Sequence, residues 1–188
     1  MIKKIIAACS AALLAGCYSG KTVNYYTFTP LKLNSSVQST AERKTVLLQR
    51  IEFPGYLKTK NIALRISENK LQFSDTNNWA LPFDRQVSNY VAELLSAGNK
   101  NLIMLESVRY AKADKKVKIK ILNFEKNKAT GRVQLTARWF ILNGADNKLV
   151  KEGVFDQSLE PKSDSFESSA EAHSELVKKL VDSISTQI

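Results

Sequence analysis

From Val117 to Ile141 the chain keeps a period of two, and no other feature constrains the fold as much. Val117, Ile119 and Ile121 alternate with Lys118 and Lys120 in a run that extends to Phe124. Across Asn127–Gly131, the run Arg132–Ile141 repeats the pattern, with Val133, Leu135, Ala137, Trp139 and Ile141 pointing one way. Successive side chains on a strand point to opposite faces, so each run offers one face to a core and one to water. Helical spacing would scatter those apolar residues around the axis. Two such strands joined by a short polar loop predict an antiparallel hairpin with one buried face. Asn143–Asn147 supplies the next turn, and Leu149–Ser158 reads as a third strand of the meander. Lys118, Lys120, Arg132 and Arg138 fall on the outward face. Like charges on neighbouring strands cost a little stability unless water screens them or a partner uses them. A solvated face is the plain reading; a basic contact face for an acidic partner or lipid headgroups is the functional one.

The flanking elements complete a two-layer pattern. Tyr25–Phe28 is aromatic and predicts a short first strand closed by Pro30. Asn34–Lys44 is polar and reads as a loop or tether. Val46–Phe53 is apolar on both faces, which predicts a central strand. Pro54-Gly55 signals a turn, and Ile62–Ser67 with Leu71–Asp75 predicts a hairpin around Asn69. Trp79–Gly98 contains a helix: Pro82 and Asp84 suit a first turn, and Gly98 suits a cap just past the end. Phe83, Val87, Tyr90, Val91, Leu94 and Leu95 make its apolar stripe. Leu102–Leu105 predicts a brief strand. Phe166–Ile188 predicts a final helix whose buried face carries His173, Leu176, Val177, Leu180, Val181 and Ile184. Pro161–Ser165 reads as the linker before it. Together these predict an α/β (α+β) sandwich: a largely antiparallel sheet with two helices packed on one face.

The first residues carry a processing signal. Lys3 and Lys4 precede the apolar run Ile5–Ala15, about eleven residues against the roughly 20 a membrane span requires. A charged start, a short apolar run and small residues before a cut make a secretory signal. Leu14-Ala15-Gly16-Cys17 resembles a bacterial lipobox, which places cleavage between Gly16 and Cys17 and a diacylglycerol on the Cys17 thiol. The expected organisation is a signal peptide at 1–16, a lipidated N-terminus with a short strand and tether at 17–45, and a folded body at 46–188. Cys9 leaves with the signal and Cys17 carries lipid, so no internal disulfide is expected. Two or three acyl chains give lasting attachment where one gives only reversible binding. Tyr18, rather than Asp, follows the cysteine, which favours the outer membrane, periplasmic face, as the place of anchoring. The formal charge of +10 suits anionic headgroups or an acidic protein, since an exported chain is not expected to meet nucleic acid.

Catalytic and cofactor signatures are missing. The sequence has no GxxxxGK[ST], GxGxxG, HExxH or GxSxG. With one His and one lipidated Cys, no metal site and no cofactor are expected. His173 lies on the packing face of the last helix and reads as a packed side chain rather than a general base. Trp79 and Trp139 read as core residues. The expectation is a protein that is not an enzyme.

Several short stretches carry a family resemblance: Tyr25–Phe28 soon after the lipobox, Ile51–Phe73, Asn77–Phe83 leading into a helix, then Val117–Glu125 and Gly131–Ile141 before the terminal helix. Pro54–Leu57, Ile62–Arg65, Trp79-Ala80 and Arg138-Trp139 are the most specific parts. In this order they resemble the ABC-type transport auxiliary lipoproteins, the PqiC (YmbA) family, from about Tyr25 to the C-terminus. The resemblance implies a non-enzymatic outer-membrane-anchored accessory subunit of an MCE-type, PqiABC-like intermembrane lipid transport system. Its implied partners are an MCE-domain tunnel protein (PqiB-like), the inner leaflet of the outer membrane and, in a homo-oligomeric ring, further copies of itself. Only Cys17 transfers as a functional position. The alternative is a lipoprotein solute- or lipid-binding component of an ABC importer.

Overall fold

The period-two stretch forms the two longest neighbours of the sheet in a computed structural model that describes residues 21–32, 44–98, 102–105 and 112–188. In chain order the elements are β1 (Asn24–Tyr26), β2 (Lys44–Leu48), β3 (Asn61–Ser67), β4 (Lys70–Trp79), α1 (Phe83–Gly98), β5 (Leu102–Leu105), β6 (Lys115–Asn127), β7 (Val133–Asn143), β8 (Leu149–Leu159) and α2 (Phe166–Ser185). β6, β7 and β8 form the expected antiparallel meander. Val117, Ile119, Ile121, Val133, Leu135, Ala137 and Ile141 are all essentially inaccessible to water. At roughly 1.5–3 kcal/mol for each fully buried large aliphatic side chain, this face is a main source of stability.

Alternation breaks once. β6 carries an extra residue between Ile121 (opposite Ala137) and Asn123 (opposite Thr136). This bulge resets the phase, so Phe124 joins Ile121 in the core although their spacing is odd.

On the other edge of β6 the sheet forks. β2 pairs in parallel with its beginning, at Val46↔Lys115 and Leu48↔Val117, and β5 extends that branch. β3 pairs in parallel with its end, at Leu64↔Lys126, and β4 and β1 extend the second branch. Between the branches, among the described residues, one bridge, Glu52↔Lys120, touches β6. The sheet is therefore mixed: three antiparallel pairings hold most of the paired length, and the parallel ones are short. α1 and α2 pack on each other, and α2 also lies across β7 and β8. The α+β class and the pair of helices agree with the expectation.

Several boundaries differ from the sequence reading. β2 ends at Leu48 rather than Phe53, because the chain then leaves the ladder for the single bridge at Glu52 and a 3₁₀ turn at Gly55–Leu57. β1 is Asn24–Tyr26, and Phe28 is buried in the core beyond it. β4 runs on to Trp79 because β1 provides a partner for Asn77–Trp79. Gly98 is the last residue of α1 rather than its cap. The β3–β4 turn closes at Glu68-Asn69 with Asn69 at ordinary negative φ; Asn147 and Gly131 hold the positive φ values in the other two turns. Ser165, read as linker, caps α2 by accepting the Ser168 N–H at 3.0 Å. The signal, Cys17 and most of the Asn34–Lys44 tether lie outside the described residues.

Trp139 shows why one glycine is where it is. It sits opposite Gly153 on β8, and a Cβ at Gly153 would lie 2.4 Å from its ring. The missing side chain lets the indole lie over the strand, 8% exposed.

Candidate functional site

The lone histidine is walled in by aromatic rings. The stripe on α2 turns His173 toward Trp79, Phe83 and Phe124, whose ring centroids lie 5.1, 5.8 and 4.8 Å away. Its Nδ1–H donates to the Ser169 carbonyl one turn earlier, at 2.7 Å. Burial lowers its pKa to about 4, despite that hydrogen bond, so the ring is neutral at neutral pH. The surrounding apolar rings leave it a packing role.

A second polar centre lies at the junction of β3 and β6. Glu125 is 4% exposed and accepts from Arg65 Nε at 2.6 Å, the Tyr56 hydroxyl at 2.8 Å and the Phe124 N–H at 2.9 Å. Burial first, and then the bond to Glu125, push the Tyr56 hydroxyl far above the ordinary tyrosine range. The triad fastens the Pro54–Leu57 turn to the sheet. Two of the stretches that carry the family resemblance, Pro54–Leu57 and Ile62–Arg65, therefore meet in space around one carboxylate. The sequence reading missed Glu125, whose charge inside an apolar strand was the available signal.

Lys118, Lys120, Arg132 and Arg138 do lie on the outward face of β6 and β7, and Lys120 stands opposite Arg138 in register. They do not converge on one point. Lys118 pairs with Glu52 at 2.9 Å, Arg132 reaches Ser158 and Glu160, and Arg138 lies 3.8 Å from Glu152. Arg138 also stacks over the Phe140 ring at 5.5 Å. Exposed pairs like these contribute at most about 1 kcal/mol each. Three of the four charges are thus paired within the chain, and Lys120 is left without an acid.

A broad concavity lies in the fork of the sheet. It is an open cleft of about 840 Å³ between the Arg50–Pro54 segment, the first turns of α1 and Lys120–Leu122 of β6. Arg50, Lys58, Arg85 and Lys120 line it, with Asp84 and Glu52 as its carboxylates. The sequence reading picked out only Lys120 of these cations, because Arg50, Lys58 and Arg85 come from three separate segments. Among the described residues no cluster of His, Cys, Asp and Glu is arranged to hold a metal ion. No described helix is long and apolar enough to cross a membrane.

A family model described as an ABC-type transport auxiliary lipoprotein component matches residues 26–185. The intermembrane transport lipoprotein PqiC of Escherichia coli K12 is 33% identical over 97 residues, covering 50% of this chain and 51% of that protein. The chain thus matches about half the length of its curated relatives. In fold, the crystal structure of an uncharacterized protein superposes with a TM-score of 0.74 at 16% identity, covering 88% of this chain and 98% of the other. A Xanthomonas campestris protein gives 0.71 at 14% identity, covering 87% and 93%.

Proposed function

The chain belongs to the ABC-type transport auxiliary lipoprotein component family, and from that premise we propose that it is a lipid-anchored, non-enzymatic docking subunit of an MCE-type intermembrane lipid transport system. In this reading Cys17 holds the body at the periplasmic face of the outer membrane, and the folded domain meets the periplasmic end of a PqiB-like tunnel. The observation that carries it is the family match from residue 26 to 185, taken with a lipobox ending at Cys17 just ahead of it. The anchor supplies location: a body tied to a bilayer by two or three acyl chains stays within reach of any machine that spans the space beside it. The fold supplies a rigid surface. Its histidine is locked among rings, its buried carboxylate is committed to Arg65 and Tyr56, and its helices are stapled to each other.

Crosslinking in intact envelopes, followed by affinity capture of this chain, tests the docking reading. Recovery of an MCE-domain protein is the expected result. Recovery of a periplasmic solute with no MCE protein would favour the importer alternative and overturn docking.

A further inference from the structure

We propose that the cleft in the fork of the sheet binds an amphiphile with a phosphate head, the cations taking the anion and the apolar wall taking the body beside it. The cleft exists because β6 is longer than either neighbour on that edge. β2 covers its beginning, β3 covers its end, and one bridge at Glu52 spans the middle. α1 begins beside the opening and brings Arg85, Ser88 and Asn89 to the wall.

Charge is the first argument. The side chains of Arg50, Lys58 and Arg85 make no hydrogen bond or ion pair with any described residue, and Lys120 reaches Glu52 only through its field. Glu52 is already taken by Lys118, which holds its carboxyl below the ordinary range. Asp84 sits in the first turn of α1, where the helix dipole favours a negative charge. Elsewhere several cations have acids: Arg132 has Glu160, Arg138 has Glu152, Lys126 has Asp164 and Lys162 has Glu171, while lysines such as Lys60, Lys70, Lys112 and Lys179 stand singly in water. Among the described arginines the two without an acid, Arg50 and Arg85, both line the concavity, and Lys58 and Lys120 join them there. Two guanidinium groups offer planar forks that match phosphate oxygens, and two ammonium groups add point charges.

Size and lining are the second argument. A cleft of about 840 Å³ is in the range that holds ligands far larger than an inorganic anion. Phe53, Pro54 and Leu122 form apolar wall, and Leu122 is 41% exposed to water. A free phosphate would leave that wall wet. An extended acidic peptide would look for free backbone groups, but those along the floor are used: Glu52 N bonds Ile119 O, and Ile121 N bonds Glu52 O. A ligand with an anionic head and an apolar body uses both linings at once.

Calorimetry on the full chain in neutral detergent tests this, with dihexanoylphosphatidylglycerol, dihexanoylphosphatidylcholine and inorganic phosphate as probes. The phosphatidylglycerol is expected to bind at least about tenfold more tightly than either of the others, since only it combines net charge with an apolar body. An Arg50→Ala/Arg85→Ala double variant, and separately Lys58→Ala/Lys120→Ala, should each lose at least about tenfold. Lys70→Ala, on the distant β3–β4 hairpin, should lose nothing. These side chains are exposed, so unchanged circular dichroism and melting are expected for all variants. Inorganic phosphate binding as tightly as the lipid would overturn the amphiphile, and unchanged affinity in both double variants would overturn the site. Neither result touches the docking reading, which is decided by crosslinking.

Discussion

Acidification should weaken this fold through one residue. His173 is neutral inside the aromatic cluster, with a folded pKa of about 4 against 6.5 when solvated. Above pH 6.5 the ring is neutral in both states and contributes no pH dependence. Between pH 6.5 and 4 the unfolded chain takes a proton that the folded chain refuses, so stability falls as pH falls. Below pH 4 both states are protonated and the loss is complete. At 1.36 kcal/mol per unit, the full loss is about 3 kcal/mol, a large part of the 5–15 kcal/mol that holds a typical domain. The groups facing the ring are the aromatic rings of Trp79, Phe83 and Phe124, the Ser169 carbonyl and, through its field, Lys126. None of them supplies a negative charge to an imidazolium. Urea unfolding at pH 7.5 and 4.5 of the wild type and of His173→Phe isolates this term, because carboxylate titration is common to both proteins. The wild type should lose about 2–3 kcal/mol more than the variant over that interval. Equal losses would refute the reasoning, whatever the variant's stability at pH 7.5.

Other expectations are as direct. Trp139→Ala should cost roughly 3–5 kcal/mol by urea unfolding, as expected for a large aromatic side chain removed from a core. Gly153→Val should cost about 1–3 kcal/mol in the wild type, and much less in a Trp139→Ala background, since the new side chain meets that ring. Glu125→Ala leaves Arg65 and Tyr56 facing a void and should cost about 2–4 kcal/mol, discounted because a quarter of the Arg65 side chain reaches water. Tyr18→Asp should shift the protein toward the inner membrane on fractionation; unchanged sorting would defeat the assignment to the outer one.

What could be read from the sequence followed from local rules. Alternation from Val117 to Ile141 announced the hairpin, and the apolar stripe from His173 to Ile184 announced α2, because each pattern depends only on neighbours along the chain. The fork of the sheet was not legible. It depends on which part of β6 each of β2 and β3 joins, and those parallel pairings link segments more than 60 residues apart in sequence. The bulge at Ile121/Asn123 was hidden for a related reason, since Leu122 continues an apolar run and only the partner strand reveals the extra residue. Alternation put Lys118, Lys120, Arg132 and Arg138 on one face, but it could not show their acidic partners, because Glu52, Glu152 and Glu160 come from other segments. Arg50, Lys58 and Arg85 escaped notice for the same cause: no spacing rule links a strand end, a turn and a helix start.

The central claim is that the body described here is exported and tethered through one modified cysteine. Intact-mass and N-terminal peptide mass spectrometry of the envelope-derived protein measures it directly. The account expects a chain that begins at Cys17 and carries a diacylglyceryl group. A mature chain with an unmodified amino terminus, or one that still retains Met1–Gly16 in the cytosol, would contradict it.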